Sequence, residues 1–213
     1  TVIKTREVLV KDEELQNALS QFRGTYLQVP PMYSAIKVDG QPLYKLARQG
    51  KEIDRQAREV TVDTLDLGGF NGRDVDLTIR CSSGFYVRAL ATDLGESLGT
   101  GGHVTTLRRL GVAGLSVENS VTLDDLSKME GYPDRRACLG MVDDALEHLP
   151  AVELSVDAAF YLCRGQSVRA NNLPPEGNVR LYSSSTGFLG VGVVAEQGTV
   201  APERLVSSGI QNA

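Results

Sequence analysis

Between Asp74 and Cys81 the chain alternates without a break: Val75, Leu77, Ile79 and Cys81 take one parity, Asp74, Asp76, Thr78 and Arg80 the other. A period of two is what a strand with one buried face requires, and a helix cannot use it. Gly68-Gly69 and Asn71-Gly72 precede the run, and Val60 and Val62 open an earlier apolar stretch that ends near Leu67. Together these predict a hairpin. Ser82-Ser83-Gly84 ends the return strand, and Val87, Leu90, Ala91, Leu94 and Leu98 follow at helical spacing, with Gly99 as the stop. A hairpin running directly into an amphipathic helix implies helices flanking a mixed or antiparallel sheet. The class is α+β rather than doubly wound.

Other segments fit that frame. Asp12 is placed as a helix N-cap, followed by Glu13 and Glu14, with Leu15, Ala18, Leu19 and Phe22 on one face and Gly24 as terminator. Tyr26–Ile53 contains Pro30-Pro31, Gly40, Pro42 and Gly50 and reads as an insertion spanning about residues 25–57, with one short helical pattern at Leu43, Leu46 and Ala47. Val104–Val112 and Leu115–Val121 are expected to pair as strands around Gly114, and Thr122 with Asp125 reads as a capping box for a helix carrying Leu123, Leu126 and Met129. Pro150 marks the expected boundary between a first domain, residues 1–150, and a second, 151–213. The second holds a helix at about Val156–Cys163 and short strands at Val179–Tyr182, Phe188–Val194 and Val200–Leu205. Frequent glycines between short strands suggest a small β-barrel.

Composition narrows the function classes. With 41% hydrophobic and 23% charged residues the chain is neither disordered nor fibrous, and no apolar run could span a membrane. Thr1–Val10 carries Lys4, Arg6 and Glu7, unlike a signal peptide. Cys81, Cys138 and Cys163 are too few and too scattered for a disulfide framework or a zinc site, which suggests a reducing, cytoplasmic setting. The net charge of −5 hides an asymmetry. Residues 23–58 sum to +4, and residues 116–160 to −7. A polyanion would meet the first segment and avoid the second. A solvated charged loop is the alternative, but Tyr26, Tyr33 and Tyr44 interleaved with the bases favour a functional surface.

Four clusters could carry chemistry. Gly95–Gly102 (GESLGTGG) lacks the Lys-Ser/Thr pair of a phosphate loop, since His103 and Val104 follow, and is expected to be a helix stop plus glycine turn. His103 and His148 are the only histidines and have no triad or metal-ligand spacing, so His103 is read as a turn residue or an RNA contact. In Ser82–Arg88 a strand ends, Gly84 turns the chain, and Tyr86 and Arg88 enter at the first turn of the helix. A guanidinium there faces the positive end of the helix dipole. It either points into solvent or meets an anion, a carboxylate or a phosphate. Leu107-Arg108-Arg109-Leu110 pairs adjacent arginines with apolar residues, suited to phosphate contacts or to surface ion pairs.

Phe22-Arg23-Gly24, Val29–Lys37, Leu43–Gly50, Cys81–Arg88, Gly102–Val104 and Leu107–Leu110 occur in the order in which similar segments occur in the bacterial tRNA pseudouridine-55 synthases, the TruB family, which the whole chain resembles. The resemblance implies a pseudouridine-synthase sheet with a thumb insertion and a C-terminal RNA-binding barrel of the PUA type. It implies isomerisation of uridine 55 in the T arm of tRNA, with neither cofactor nor metal, on a nucleotide flipped out of its stack. Tyr86 then corresponds to the active-site tyrosine that packs on the base, and Arg88 to the arginine paired with the nucleophilic aspartate. Leu107 corresponds to a substrate-contacting leucine. Tyr33, Lys37, Arg48, His103, Arg108 and Arg109 are the expected RNA contacts, with the T stem-loop as partner.

One departure is large. The family's nucleophilic aspartate lies in a G-x-x-D-P-L-A-T-G motif, and no Asp-Pro dipeptide occurs between Thr1 and Ala213. The chain also begins at Thr1. The expectation is therefore the C-terminal two-thirds of the enzyme, inactive alone and partnered by an N-terminal fragment. A sheet missing strands should expose an edge and self-associate. The alternative is a non-catalytic module that grips the tRNA elbow.

Overall fold

Residues 6–206 are described by a computed structural model, whose backbone divides into two units, residues 1–107 and 108–213. In the first, helix α1 (Asp12–Ser20) is capped by Lys11, not by Asp12. The Lys11 N–H donates to the Glu14 carboxylate at 2.8 Å, so Glu14 takes the capping role and Asp12 becomes the first helical residue. Asp12, Glu13 and Glu14 then sit together where the helix dipole favours negative charge.

Strand β1 (Gly24–Gln28) follows, in residues expected to open the insertion. Beyond it the insertion holds a two-residue pair, β2 (Lys37–Val38) and β3 (Gln41–Pro42), and helix α2 (Leu43–Arg48). The pair turns through Asp39 and Gly40, both at positive φ. The long hairpin is β4 (Arg58–Phe70) and β5 (Val75–Cys81). Its turn is built by Asn71, whose side-chain oxygen accepts from the Arg73 and Asp74 amides at 3.0 and 2.7 Å. Helix α3 (Val87–Ser97) follows.

The sheet order is β1-β4-β5, antiparallel throughout, so both outer strands have one strand neighbour among the described residues. Leu15, Ala18, Leu19 and Phe22 pack with Val62, Leu65, Leu90 and Leu94 to form the core. The alternating stripe Val75, Leu77, Ile79 and Cys81 faces that core as expected, but each residue is only half-buried.

In the second unit, residues 108–150 form short pieces: β6 (Gly111–Val112) with β7 (Leu115–Ser116), α4 (Leu123–Lys128) and α5 (Tyr132–Ala137). Thr122 caps α4 as expected, accepting from the Asp125 amide at 3.1 Å. Helix α5 had no apolar period to announce it. The expected strands over 104–112 and 115–121 shrink to two residues each, and His103–Leu110 has no ladder partner. Strand β8 (Ala151–Leu154), helix α6 (Val156–Leu162) and strands β9 (Val168–Arg169), β10 (Asn178–Ser183), β11 (Gly187–Ala195) and β12 (Thr199–Leu205) complete the unit. They form a five-stranded sheet in the order β8-β10-β11-β12-β9, with β8 parallel to β10 and the other pairs antiparallel. Val152, Leu154, Leu162, Val179, Leu181, Leu189 and Val200 are buried in its core.

Candidate active site

Helix α3 starts at a corner that two side chains hold. Tyr86 is its N-cap, in extended conformation. Gln28, the last residue of β1, is 1% exposed and turns its amide onto the Tyr86 main chain. The Tyr86 N–H donates to Gln28 Oε1 at 2.8 Å, and Gln28 Nε2 donates to the Tyr86 carbonyl at 3.2 Å. The second Nε2 hydrogen goes to the Tyr26 hydroxyl, 3.2 Å away. Exchanging the amide's oxygen and nitrogen would set donor against donor and acceptor against acceptor, so this orientation alone lets Gln28 serve both main-chain groups. The Tyr86 carbonyl also accepts from the Ala89 and Leu90 amides at 3.0 and 3.1 Å.

Arg88 lies on the first turn of α3, exposed, and its Nη2 donates to the Tyr33 carbonyl at 2.8 Å. The sequence allowed solvent or an anion. The structure supplies a neutral carbonyl dipole, and the ion pairs among the described residues, Arg55–Glu52 and Arg80–Asp63, lie elsewhere. The start of α3 is therefore joined to the end of β1, by Gln28 to Tyr86, and to the segment after it, by Arg88 to Tyr33.

Burial, and then the nearby Asp93 carboxylate, push the Tyr26 hydroxyl up to about 12. It is neutral at physiological pH and can serve Gln28 only as an uncharged partner. Burial chiefly, with Glu96 beside it, also raises Asp93 above the usual carboxylate range.

Of the expected RNA contacts, Lys37 and Arg48 project from the insertion and are exposed, as is Tyr33. Arg48 lies 5.6 Å from the centre of the Tyr44 ring. His103 and Leu107 are exposed in irregular chain, so a strand does not set the orientation of Leu107 and Arg109. The division between units falls after Leu107, which places Arg108 and Arg109 in the second. The structure thus brings Tyr33, Tyr86 and Arg88 together. Gln28 was missed because the inward face of β1 carries Tyr26 and Gln28 while Leu27 is 68% exposed, the reverse of the usual apolar pattern.

Gly95–Gly102 is closed on itself. The Thr100 and Gly101 amides both donate to the Gly95 carbonyl, at 2.9 and 2.8 Å. Those donors are thereby occupied, in keeping with the expected helix stop. Among the described residues no group of three His, Cys, Asp or Glu side chains could hold a metal ion, and no helix is long and apolar enough to cross a membrane.

Comparison with solved structures shows the fold. A Cbf5–Nop10–Gar1 complex matches with a TM-score of 0.71 at 22% identity, over 92% of this chain and 62% of that one. An H/ACA RNP bound to a substrate RNA containing 2′-deoxyuridine matches with a TM-score of 0.68 at 19% identity, over 94% and 63%. The shared fold is mixed α+β. Family profiles then cover nearly the whole chain: TruB family pseudouridylate synthase (N terminal domain) over residues 1–87, tRNA pseudouridylate synthase B C-terminal domain over 88–148, and pseudouridine synthase II TruB, C-terminal, over 150–206. The tRNA pseudouridine synthases B of Stutzerimonas stutzeri (strain A1501) and Pseudomonas aeruginosa (strain UCBPP-PA14) are 44% and 43% identical over 210 residues, 97% of this chain and 69% of each relative. The chain belongs to the TruB family of pseudouridine synthases. It spans about two thirds of the length of these relatives and slightly less of the solved chains.

Proposed function

We propose that the protein isomerises uridine 55 in the T arm of tRNA to pseudouridine in the cytoplasm. The C1′–N1 bond breaks, C1′ joins C5, the C5 proton leaves and N1 gains one, so the reaction balances without a redox partner. The target nucleotide is flipped out, because the bond is inaccessible within the stacked loop. Tyr86 packs on the base, and Arg88 pairs with a nucleophilic aspartate borne on a segment outside these 213 residues. Leu107 contacts the substrate. Tyr33, Lys37 and Arg48 of the thumb, with His103, Arg108 and Arg109, hold the RNA, and the C-terminal sheet is a PUA-type module on the same tRNA.

The observation that carries this reading is the exposed Arg88 guanidinium, held close to Tyr86 in sequence with a carbonyl as its partner among the described residues. A charge-assisted bond to a carboxylate would be worth more to it than that contact. The protein translated from the complete reading frame should release tritium from C5-labelled uracil in a tRNA transcript, and none from a transcript with cytidine at position 55. Residues 1–213 alone should release none. Turnover by that isolated chain overturns the assignment of the nucleophile. Tight tRNA binding without turnover by the complete protein selects the elbow-binding module instead.

A further inference from the structure

Gln28 is a nearly inaccessible polar side chain in contact with the candidate site, and it spends its hydrogen bonds on main chain and on a neutral hydroxyl. A buried amide with no such partners would weaken the fold, so its presence at the inward position of β1 needs a reason. Its two bonds to Tyr86 copy the pairing that a neighbouring strand would make, at a residue where β5 has ended and α3 has not begun. The Ala89 and Leu90 amides of the helix reach the Tyr86 carbonyl, but among the described residues it is the Gln28 side chain that meets the Tyr86 N–H.

We propose that Gln28 is a positioning residue for uridine isomerisation: its amide sets the backbone of Tyr86, and so the direction in which the Tyr86 ring and the Arg88 guanidinium leave the first turn of α3. This rests on the synthase reading above. Gln28 does not touch the base. It acts through Tyr86, and Tyr26 holds its free Nε2 hydrogen so that the amide cannot rotate. Small errors in such geometry are expensive in rate and cheap in affinity, because the RNA is gripped by many other contacts.

The test uses the complete protein and tRNA. Gln28→Met keeps the side-chain volume and removes all three hydrogen bonds, to the Tyr86 N–H, the Tyr86 carbonyl and the Tyr26 hydroxyl. It should lower kcat by at least about tenfold, measured per folded molecule by circular dichroism, with KM for tRNA within about twofold. Gln28→Glu separates positioning from simple folding. As a carboxylate it accepts from the Tyr86 N–H but cannot donate to the Tyr86 carbonyl; once protonated it can do both. Its kcat relative to wild type should therefore climb as pH falls. A folded Gln28→Met protein with kcat near wild type overturns the proposal, as does a Gln28→Glu profile parallel to wild type. Failure of the synthase reading itself looks different: the wild-type protein then releases no tritium at all.

Discussion

The two ends of α3 are held by opposite devices. At the C-terminal end the loop Gly99–Gly102 returns so closely that a Cβ on Gly95 would lie 2.1 Å from the Gly101 carbonyl carbon, and one on Gly102 would lie 2.2 Å from the Ala91 oxygen. Backbone rests on backbone there, and only glycine fits. At the N-terminal end nothing packs so tightly. Tyr86 and Arg88 are placed by hydrogen bonds between side chain and main chain, across to Gln28 and Tyr33. The first arrangement fixes the helix and has no freedom to give. The second orients one half-buried group and one exposed group, both open to solvent, which is what a site that must receive a substrate needs.

The contrast breaks most visibly at Gly95. Gly95→Ala forces main chain apart rather than a flexible side chain, so it should cost about 3 kcal/mol or more, the upper end of overpacking penalties. A denaturant melt checks this. A loss under about 1 kcal/mol would mean that the loop can lift from the helix, and the two ends would then differ little.

At the other end the expected losses are in chemistry. Arg88→Ala in the complete protein removes a charge-assisted bond of about 1.5–3 kcal/mol, so kcat should fall about 10- to 100-fold while the tRNA Kd moves little. Equal losses in kcat and affinity would make Arg88 an RNA-binding residue. Lys37→Ala and Arg48→Ala should do the reverse, weakening tRNA binding and lowering the salt slope by up to about 1 each, with kcat at saturation preserved. Titrating Kd against salt for both variants shows whether these exposed bases lie on the RNA.

This division also marks what could be read from residues alone. The β4–β5 hairpin, α3, the glycine stop after it and the C-terminal strands were legible because each has a strong period or a turn residue with a single physical use. The strand β1 was not, since Leu27 faces solvent and Gln28 faces the core. Helix α5 has no buried residue to create a period, and of the expected pairing around Gly114 only Gly111–Val112 with Leu115–Ser116 forms, leaving His103–Leu110 without a ladder partner. At the site, Tyr86 and Arg88 were marked by their place at a strand-to-helix turn. Gln28 was hidden by its distance in sequence, 58 residues from Tyr86. A buried amide bonded to remote main chain leaves no pattern in a sequence.

The smallest effect probes the middle of α3, where Asp93 lies near Tyr26. Its carboxyl is raised above the ordinary 3.8, chiefly by burial. The fold therefore favours the protonated form: the contribution is fully present below pH 3.8 and is lost as pH rises through the folded value, so ionised Asp93 is a cost at neutral pH. Asp93→Asn should raise the melting temperature at neutral pH and leave it nearly unchanged in acid. The same substitution removes one cause of the raised Tyr26 hydroxyl, which titrates at about 12 against an ordinary 10. Wild-type stability should accordingly hold to about pH 10 and decline from there to about 12 as tyrosinate forms. In Asp93→Asn that alkaline decline should begin at the same pH and end earlier, visible in the tyrosinate absorbance. A lower melting temperature at neutral pH would show instead that the Asp93 carboxylate supports the Tyr26–Gln28 pair, making the helix middle part of the orienting end rather than neutral ground between the two.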